Sequence, residues 1–315
     1  MLEAKFIPRA IGVEVETVCP YMGLGGNSEV QQSVARLLSA NGVSAVARPY
    51  NHASVETDMA VETDASLSFA ECPYNSVNVA SLEVKSRILR DLTDFQTIVP
   101  KTLEILQFCG CRVNATTGFH VHASIPEIRG NPRVIRSLYN LIHKYQFVLY
   151  GLTAQSRVSS RYCPPLPLPP TGLRHARTMR SFKSALREYD RYHIVNWQHI
   201  GEEVPRVEFR LWAGTLNPTK ALNYVRICCG LIDHAVRRSV QAVPSSLPND
   251  RKSLESLMVC AGFKVNSGIY SVVSDDMRET GRWMLRRWGE INGRQALKPK
   301  NGAVSGAVPS VCIED

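Results

Sequence analysis

Arg206-Val207-Glu208-Phe209-Arg210-Leu211-Trp212, followed at once by Ala213-Gly214-Thr215-Leu216-Asn217-Pro218, is the stretch on which the fold turns. Charged and apolar residues alternate with period two. As a strand, it sets Arg206, Glu208 and Arg210 on one face and Val207, Phe209 and Leu211 on the other. Alone, an acid between two guanidinium groups reads as a structural ion pair. Two further segments of the same design change that reading.

The first runs from Ala10 to Val18 and places Glu14 and Glu16 on one face. Two like charges two residues apart on a strand lie roughly 7 Å apart and repel unless water or a cation stands between them. A solvated edge is the plain alternative. The second runs from Ala115 to Ser124 and presents His120, His122 and Ser124 together, a metal or phosphate face if it is not simply a packed or surface one. Between them, residues 50–84 read as short strands and turns carrying Asp58, Glu62, Asp64 and Glu71. This region ends in Ser81-Leu82-Glu83-Val84-Lys85, with Glu83 the acid of a buried strand.

Helical periodicity fills the intervals, over about residues 28–40, 92–109, 132–152, 177–190 and 219–240. The glycines at 23–26 lack the spacing of a phosphate loop. The proline-rich stretch after Arg157 cannot be helical, and arginines on both sides of it suggest a rigid loop over a site rather than a polyproline ligand. Residues 241–292 read as a helical extension and 293–315 as a flexible Gly/Ala/Lys-rich tail, neither with the polar-face patterning of the strands within 1–240.

With 315 residues and 44% hydrophobic content, the chain can bury a large core. Its first residues carry an early acid and no sustained apolar run, unlike a signal peptide. Residues 221–236, the most apolar helical stretch, are interrupted by Arg226 and Asp233, so no membrane span is expected. Nine scattered cysteines, including the adjacent Cys228 and Cys229, fit a reducing cytoplasm rather than a disulfide framework. Cys109 and Cys111 read as core thiols, not a zinc knuckle. The net charge of +9 would suit nucleic acid. However, the arginines concentrate at 157, 161, 174, 177, 180, 187 and 191 without RNA-type aromatic platforms or a helix-turn-helix, and a pocket for anionic phosphates accounts for the clustering as well as a duplex would.

An antiparallel sheet half covered by helices would bring the three polar faces together. Acids buried without cations cost several kcal/mol each, so the cluster predicts divalent metal, and carboxylate-rich ligation favours Mg²⁺ or Mn²⁺ over Zn²⁺. Arginines beside such metals suggest a polyphosphate.

Taken in order, Gly12-x-Glu14-x-Glu16, Glu83-Val-Lys-Ser86, Gly118-Phe-His120-Val-His122-x-Ser124, Arg161-Tyr-Cys-Pro, Arg191-Tyr-His-x-x-Asn196 and Val207-Glu208-Phe-Arg210 with Gly214-Thr-Leu-Asn217 resemble the amidoligase family. That family sits in the carboxylate–amine ligase superfamily of glutamine synthetase and glutamate–cysteine ligase, and the resemblance covers about residues 8–236. It implies an α+β fold with a curved antiparallel sheet of glutamine-synthetase type, covered by helices on one face, cradling ATP and Mg²⁺ (Mn²⁺ as the alternative). By motif position, Glu14, Glu16, Glu83, His120 and Glu208 match metal ligands. Arg210 matches a phosphate-contacting arginine, and Ser124, His122 and Asn217 fall toward the nucleotide. Arg161, Arg174, Arg180 or Arg191 would grip the carboxylate. Glutamine synthetase carries a further acid about eight residues after the one matching Glu83. Here that place holds Asp91 at a helix start, and Asp64 is the candidate to stand in for the missing acid.

The implied reaction is ATP-dependent amide formation between a carboxylate and an amine, free or on a peptide or protein, through an acyl phosphate. No covalent enzyme intermediate is expected, and nothing argues against a homo-oligomer. Three other readings stay open on the residues: a guanidino-kinase-type phosphotransferase, a non-enzymatic binder of phosphorylated or nucleic-acid ligands through the arginine-rich region, and a metal-dependent hydrolase using the histidine pair.

Overall fold

Strands that alternate polar and apolar residues share a sheet only by sending the two kinds to opposite faces. The computed structural model of the chain shows that segregation across seven strands. The structure describes residues 3–21, 25–50, 54–67, 79–187, 191–265 and 270–296. Glu71 and nearly all of the tail expected to be flexible lie outside these residues.

The elements, in order, are β1 (Glu3–Ala4), β2 (Ile11–Pro20), α1 (Asn27–Ala40), β3 (Ala45–Ala47), β4 (Met59–Thr63), β5 (Val79–Ser86), α2 (Leu92–Phe108) and β6 (Gly118–Ser124). Then come α3 (Arg133–Tyr150), α4 (Gln155–Val158), α5 (Thr171–His175), α6 (Met179–Leu186), β7 (Val195–Asn196), β8 (Arg206–Ala213) and α7 (Pro218–Arg237). The chain closes with α8 (Arg251–Cys260), β9 (Val272–Val273) and α9 (Asp275–Ala296). The main sheet has the order β3-β4-β5-β2-β6-β8-β7 and is antiparallel except at the β3–β4 edge.

The sheet's apolar face is one continuous row of partners: Val61 opposite Val84, Val84 opposite Val15, Val15 opposite Phe119, and Phe119 opposite Trp212. All five are buried. Helices α1, α2, α3 and α7 supply the other half of this core, with α7 against β6 and α2 and α3 against α7. Both ends of that logic are local. Asp91 caps α2 through the amides of Thr93 and Asp94, and Asn217 caps α7 through the amide of Lys220 with Pro218 in the first turn. The α6 helix is shorter than the periodicity suggests, ending at Leu186.

One irregularity sets the phase of β8. Its pairing with β6 slips between Phe119 and Val121, which face Trp212 and Phe209, so β8 carries one extra residue there. Strict alternation would put Trp212 beside Arg210. The bulge instead turns it into the core, where it stacks on Tyr224 of α7 with ring centroids 4.3 Å apart.

Candidate active site

The register that builds the core also lines up the polar face. Glu62, Glu83 and Glu16 are successive cross-strand partners on β4, β5 and β2; Lys85, Glu14 and His120 form the next row, and Gly12, His122, Glu208 and Asn196 the row after it. Period two along each strand and direct pairing across strands thus place five acids and two histidines on one surface.

Contacts within it are dense. Glu14 lies 3.1 Å from His120 Nδ1 and 3.2 Å from His122 Nε2. Glu16 accepts a hydrogen bond from the Gly118 amide at 2.5 Å and lies 3.5 Å from His120 Nε2. Glu208 accepts from Asn196 Nδ2 at 2.7 Å and from the Arg210 guanidinium. Lys85 bridges Glu83 at 2.8 Å and Glu62 at 2.9 Å, and Arg48 completes Glu62 at 2.7 Å. Gly118 is required here by close approach: a β-carbon on it would sit 2.8 Å from His120 Nε2 and 3.2 Å from Glu16 Oε2.

These groups open on a cavity of about 380 Å³ walled by Glu14, Glu16, Glu83, His120 and Arg210 on the sheet side. Asp64, Tyr50, Arg157, Tyr162, Arg191 and Tyr192 complete its lining. Tyr162 and Tyr192 meet edge to face at 5.8 Å, with Arg161 over the first ring and Arg191 over the second. Arg157 is buried and donates to the Arg210 carbonyl at 2.6 Å.

The electrostatics are those of crowded acids. Burial works to raise the Glu14 carboxyl, but His122 and the hydrogen bonds of both histidines outweigh it and hold Glu14 well below the ordinary range. Burial raises Glu208 as well, and His122 and Arg210 bring it down. Glu83 goes the other way: burial and then the charge of Glu14 push it well above the ordinary range against the pull of Lys85. The donors among these groups fit a divalent cation. Glu14, Glu83 and His120, then Glu14, His122 and Glu208, then Glu16, Asp64 and Glu83 each bring three ligand atoms within 4.8 Å of one another. Carboxylate-dominated sets of this kind suit hard cations.

Set against the sequence expectations, the structure brings Glu14, Glu16, Glu83, His120, Glu208 and Arg210 together. It also adds Asp64 to Glu16 and Glu83, whereas Asp91 is a helix cap. His122, expected toward the nucleotide, is grouped with Glu14 and Glu208. Arg191 lines the cavity, and Arg161 stands behind Tyr162. Four expected contacts are elsewhere. Ser124 Oγ accepts from the Ala10 amide at 2.9 Å, locking β6 to the start of β2. Asn217 is the α7 cap. Arg174 is exposed on α5, its carbonyl taking Arg136, and Arg180 lies on α6 outside the cavity. Arg206 pairs with Glu202 and His199 at the far end of β8. The arginine cluster read from the sequence included Arg157 without giving it a role, and the tyrosine wall was missed. The aromatic-next-to-arginine pairs Arg161-Tyr162 and Arg191-Tyr192 were the available signal.

Fold and site together define a class: an α+β protein whose antiparallel sheet gathers acids and histidines around a cavity that arginines and tyrosines also line. The chain belongs to the amidoligase family, whose model, described as "Putative amidoligase enzyme", matches residues 8–232. Among solved structures it is similar to the complex between the prokaryotic ubiquitin-like protein Pup and its ligase PafA. That match has 9% identity and a TM-score of 0.48, and covers 91% of this chain and 65% of that chain. It is also similar to a GmaS/ADP complex, with 11% identity and a TM-score of 0.45 over 93% of this chain and 71% of the other. The chain therefore spans less than two thirds of the first of these. Comparison with curated proteins gives no match.

Proposed function

We propose that this chain is an ATP- and Mg²⁺-dependent carboxylate–amine ligase, with Mn²⁺ as an alternative ion, forming an amide through an acyl phosphate. The observation that carries the reading is the convergence of acid and histidine ligand sets with Arg210, Arg157 and Arg191 on one cavity. A carboxylate is a poor acyl donor because its leaving group would be oxide. A carboxylate oxygen attacks the terminal phosphorus of ATP and ADP departs. The amine nitrogen then attacks the acyl carbon, the bond to phosphate breaks, and the nitrogen gives up a proton.

Glu14, Glu16, Glu83, His120, His122, Asp64 and Glu208 are the residues that would hold metal. Bound there, the ions would supply positive charge against the negative charge that develops in phosphoryl transfer. Arg210, oriented by Glu208, meets the transferring phosphoryl group. Arg191, seated on Tyr192, grips the substrate carboxylate, and the tyrosine wall excludes water from the acyl phosphate. Free thiols support a reducing, cytoplasmic setting: six of the seven described cysteines are buried and none lines the cavity. We assign the chemistry to residues 1–240, with the helices of 241–292 as a buttress.

The test is to incubate the protein with ATP, Mg²⁺ and pools of carboxylate and amine compounds, following ADP release and mass gain together. Glu208→Gln should lower both by about 10²–10³-fold while leaving the circular dichroism spectrum unchanged. Full amide formation by that variant sinks the mechanism, and phosphate transfer without amide formation assigns the site to a phosphotransferase.

A further inference from the structure

Several basic residues that the cavity does not use gather on another surface. Arg129 follows β6, Arg136 lies in the first turns of α3, and Arg177, Arg180, Lys183 and Arg187 lie on or beside α6. Arg129, Arg180 and Lys183 line one groove of about 370 Å³, and Arg180, Lys183 and Arg187 line an adjoining one of about 570 Å³. Arg136 is close enough to Arg177 and Arg133 for burial and their charges to lower its pKa. None of the six cations forms an ion pair among the described residues. Glu202, the one carboxylate in the groove walls, is held by Arg206 and His199.

The floor between these charges is apolar. Met179, Ile200 and Pro205 line the first groove and Leu186 the second. Trp197 is 4% exposed and stacked on Tyr139, so it offers no open face to a base. Cations over an aliphatic floor, with no exposed ring among the lining residues, fit carboxylates interleaved with apolar side chains rather than stacked bases. Position gives the groove a purpose. Ile200 and Gly201 line it from the turn Gln198–Gly201, and His199 of the same turn faces His122 across 6.1 Å of ring separation. The groove and the metal-ligand face therefore lie on either side of one short turn.

We propose that this groove is a docking surface for an acidic polypeptide segment with apolar residues between its carboxylates. This surface stands whether or not the ligase chemistry does, because its test is binding alone. Fluorescence anisotropy of a labelled Glu-Leu repeat peptide, titrated with the full chain, should show saturable binding that weakens as salt rises. A Lys-Leu peptide should not bind. Arg180→Glu with Arg187→Glu, both exposed, should weaken the Glu-Leu peptide by about tenfold or more, and the paired glutamine changes should weaken it less. The circular dichroism spectrum and the thermal unfolding midpoint should stay at the parent values in these variants, which shows the fold intact. Equal affinity of parent and charge-reversed protein overturns the proposal. So does failure of the Glu-Leu peptide to bind, or tighter binding of a single-stranded oligonucleotide of equal charge.

Discussion

The acid face of the sheet and the basic groove beside α6 hold their charges in opposite ways. On the sheet, Glu62 and Glu83 are 0% and 5% exposed, and each is met by a cation of the fold, Arg48 or Lys85. In the groove, Arg129, Arg180 and Arg187 are exposed and unpaired among the described residues. Burying an ion costs several kcal/mol unless a partner is fixed close by. Solvated arginines carry no such requirement, so they can answer to a partner from outside at about a Debye length of 8 Å in physiological salt. The difference teaches that a buried charge here belongs to a local, geometrically exact arrangement, whereas a solvated one belongs to recognition.

That contrast breaks most visibly at Lys85. Replacing it by methionine leaves Glu62 and Glu83 without their shared ammonium, and urea unfolding should show a loss of about 3–5 kcal/mol, partly recovered with Mg²⁺ present. A loss under about 1 kcal/mol would mean that the two acids do not need the lysine. Gly118→Ala comes next: its methyl meets His120 and Glu16, so stability should fall by about 1–3 kcal/mol, and Mn²⁺ affinity, read by calorimetry, should fall with it.

Asp94 sharpens the comparison away from the cavity. Hydrogen bonds from Arg87 outweigh burial and, with the Arg90 amide, bring its carboxyl down to about 2. A carboxyl depressed in the folded state stabilises above its unfolded value of about 3.9 and loses that contribution as pH falls toward the folded one. Asp94→Asn should therefore cost about 1–2 kcal/mol at neutral pH, and the gap from the parent should close between pH 4 and 2 in acid-unfolding curves. The smallest effect belongs to the groove: Arg180→Gln with Arg187→Gln should change unfolding free energy by no more than about 0.5 kcal/mol.

Much of the sheet was legible because alternation assigns each side chain to a face without knowing the neighbours. Glu14, His120 and Glu208 could be placed on one surface before any pairing was known. What alternation cannot give is phase after an irregularity, and the extra residue in β8 sends Trp212 to the core. Nor can residue type separate a ligand from a cap. Asn217 offers the same amide oxygen to Lys220 that it would to a nucleotide, although Asn followed by Pro218 is a helix-start signal that could have been read as one. Ser124 is the same case on a strand, its hydroxyl tied to Ala10. The arginines were hardest: Arg174, Arg180 and Arg191 lie within one segment, and only the turns between α5, α6 and β7 decide that Arg191 enters the cavity and the other two do not.

The two-stranded sheet has a consequence in time. Glu3 and Ala4 pair with Val272 and Val273, and Ile7 and Arg9 both bind Asp233, so the seam beside β2 is built from residues more than two hundred positions apart. Contacts of such separation close late and slow the search for the native state. As the ribosome delivers the chain, β1 has no partner until β9 has emerged. A pulse of protease during synthesis should therefore find the region around Glu3 to Arg9 open long after β2, β5 and β6 have joined.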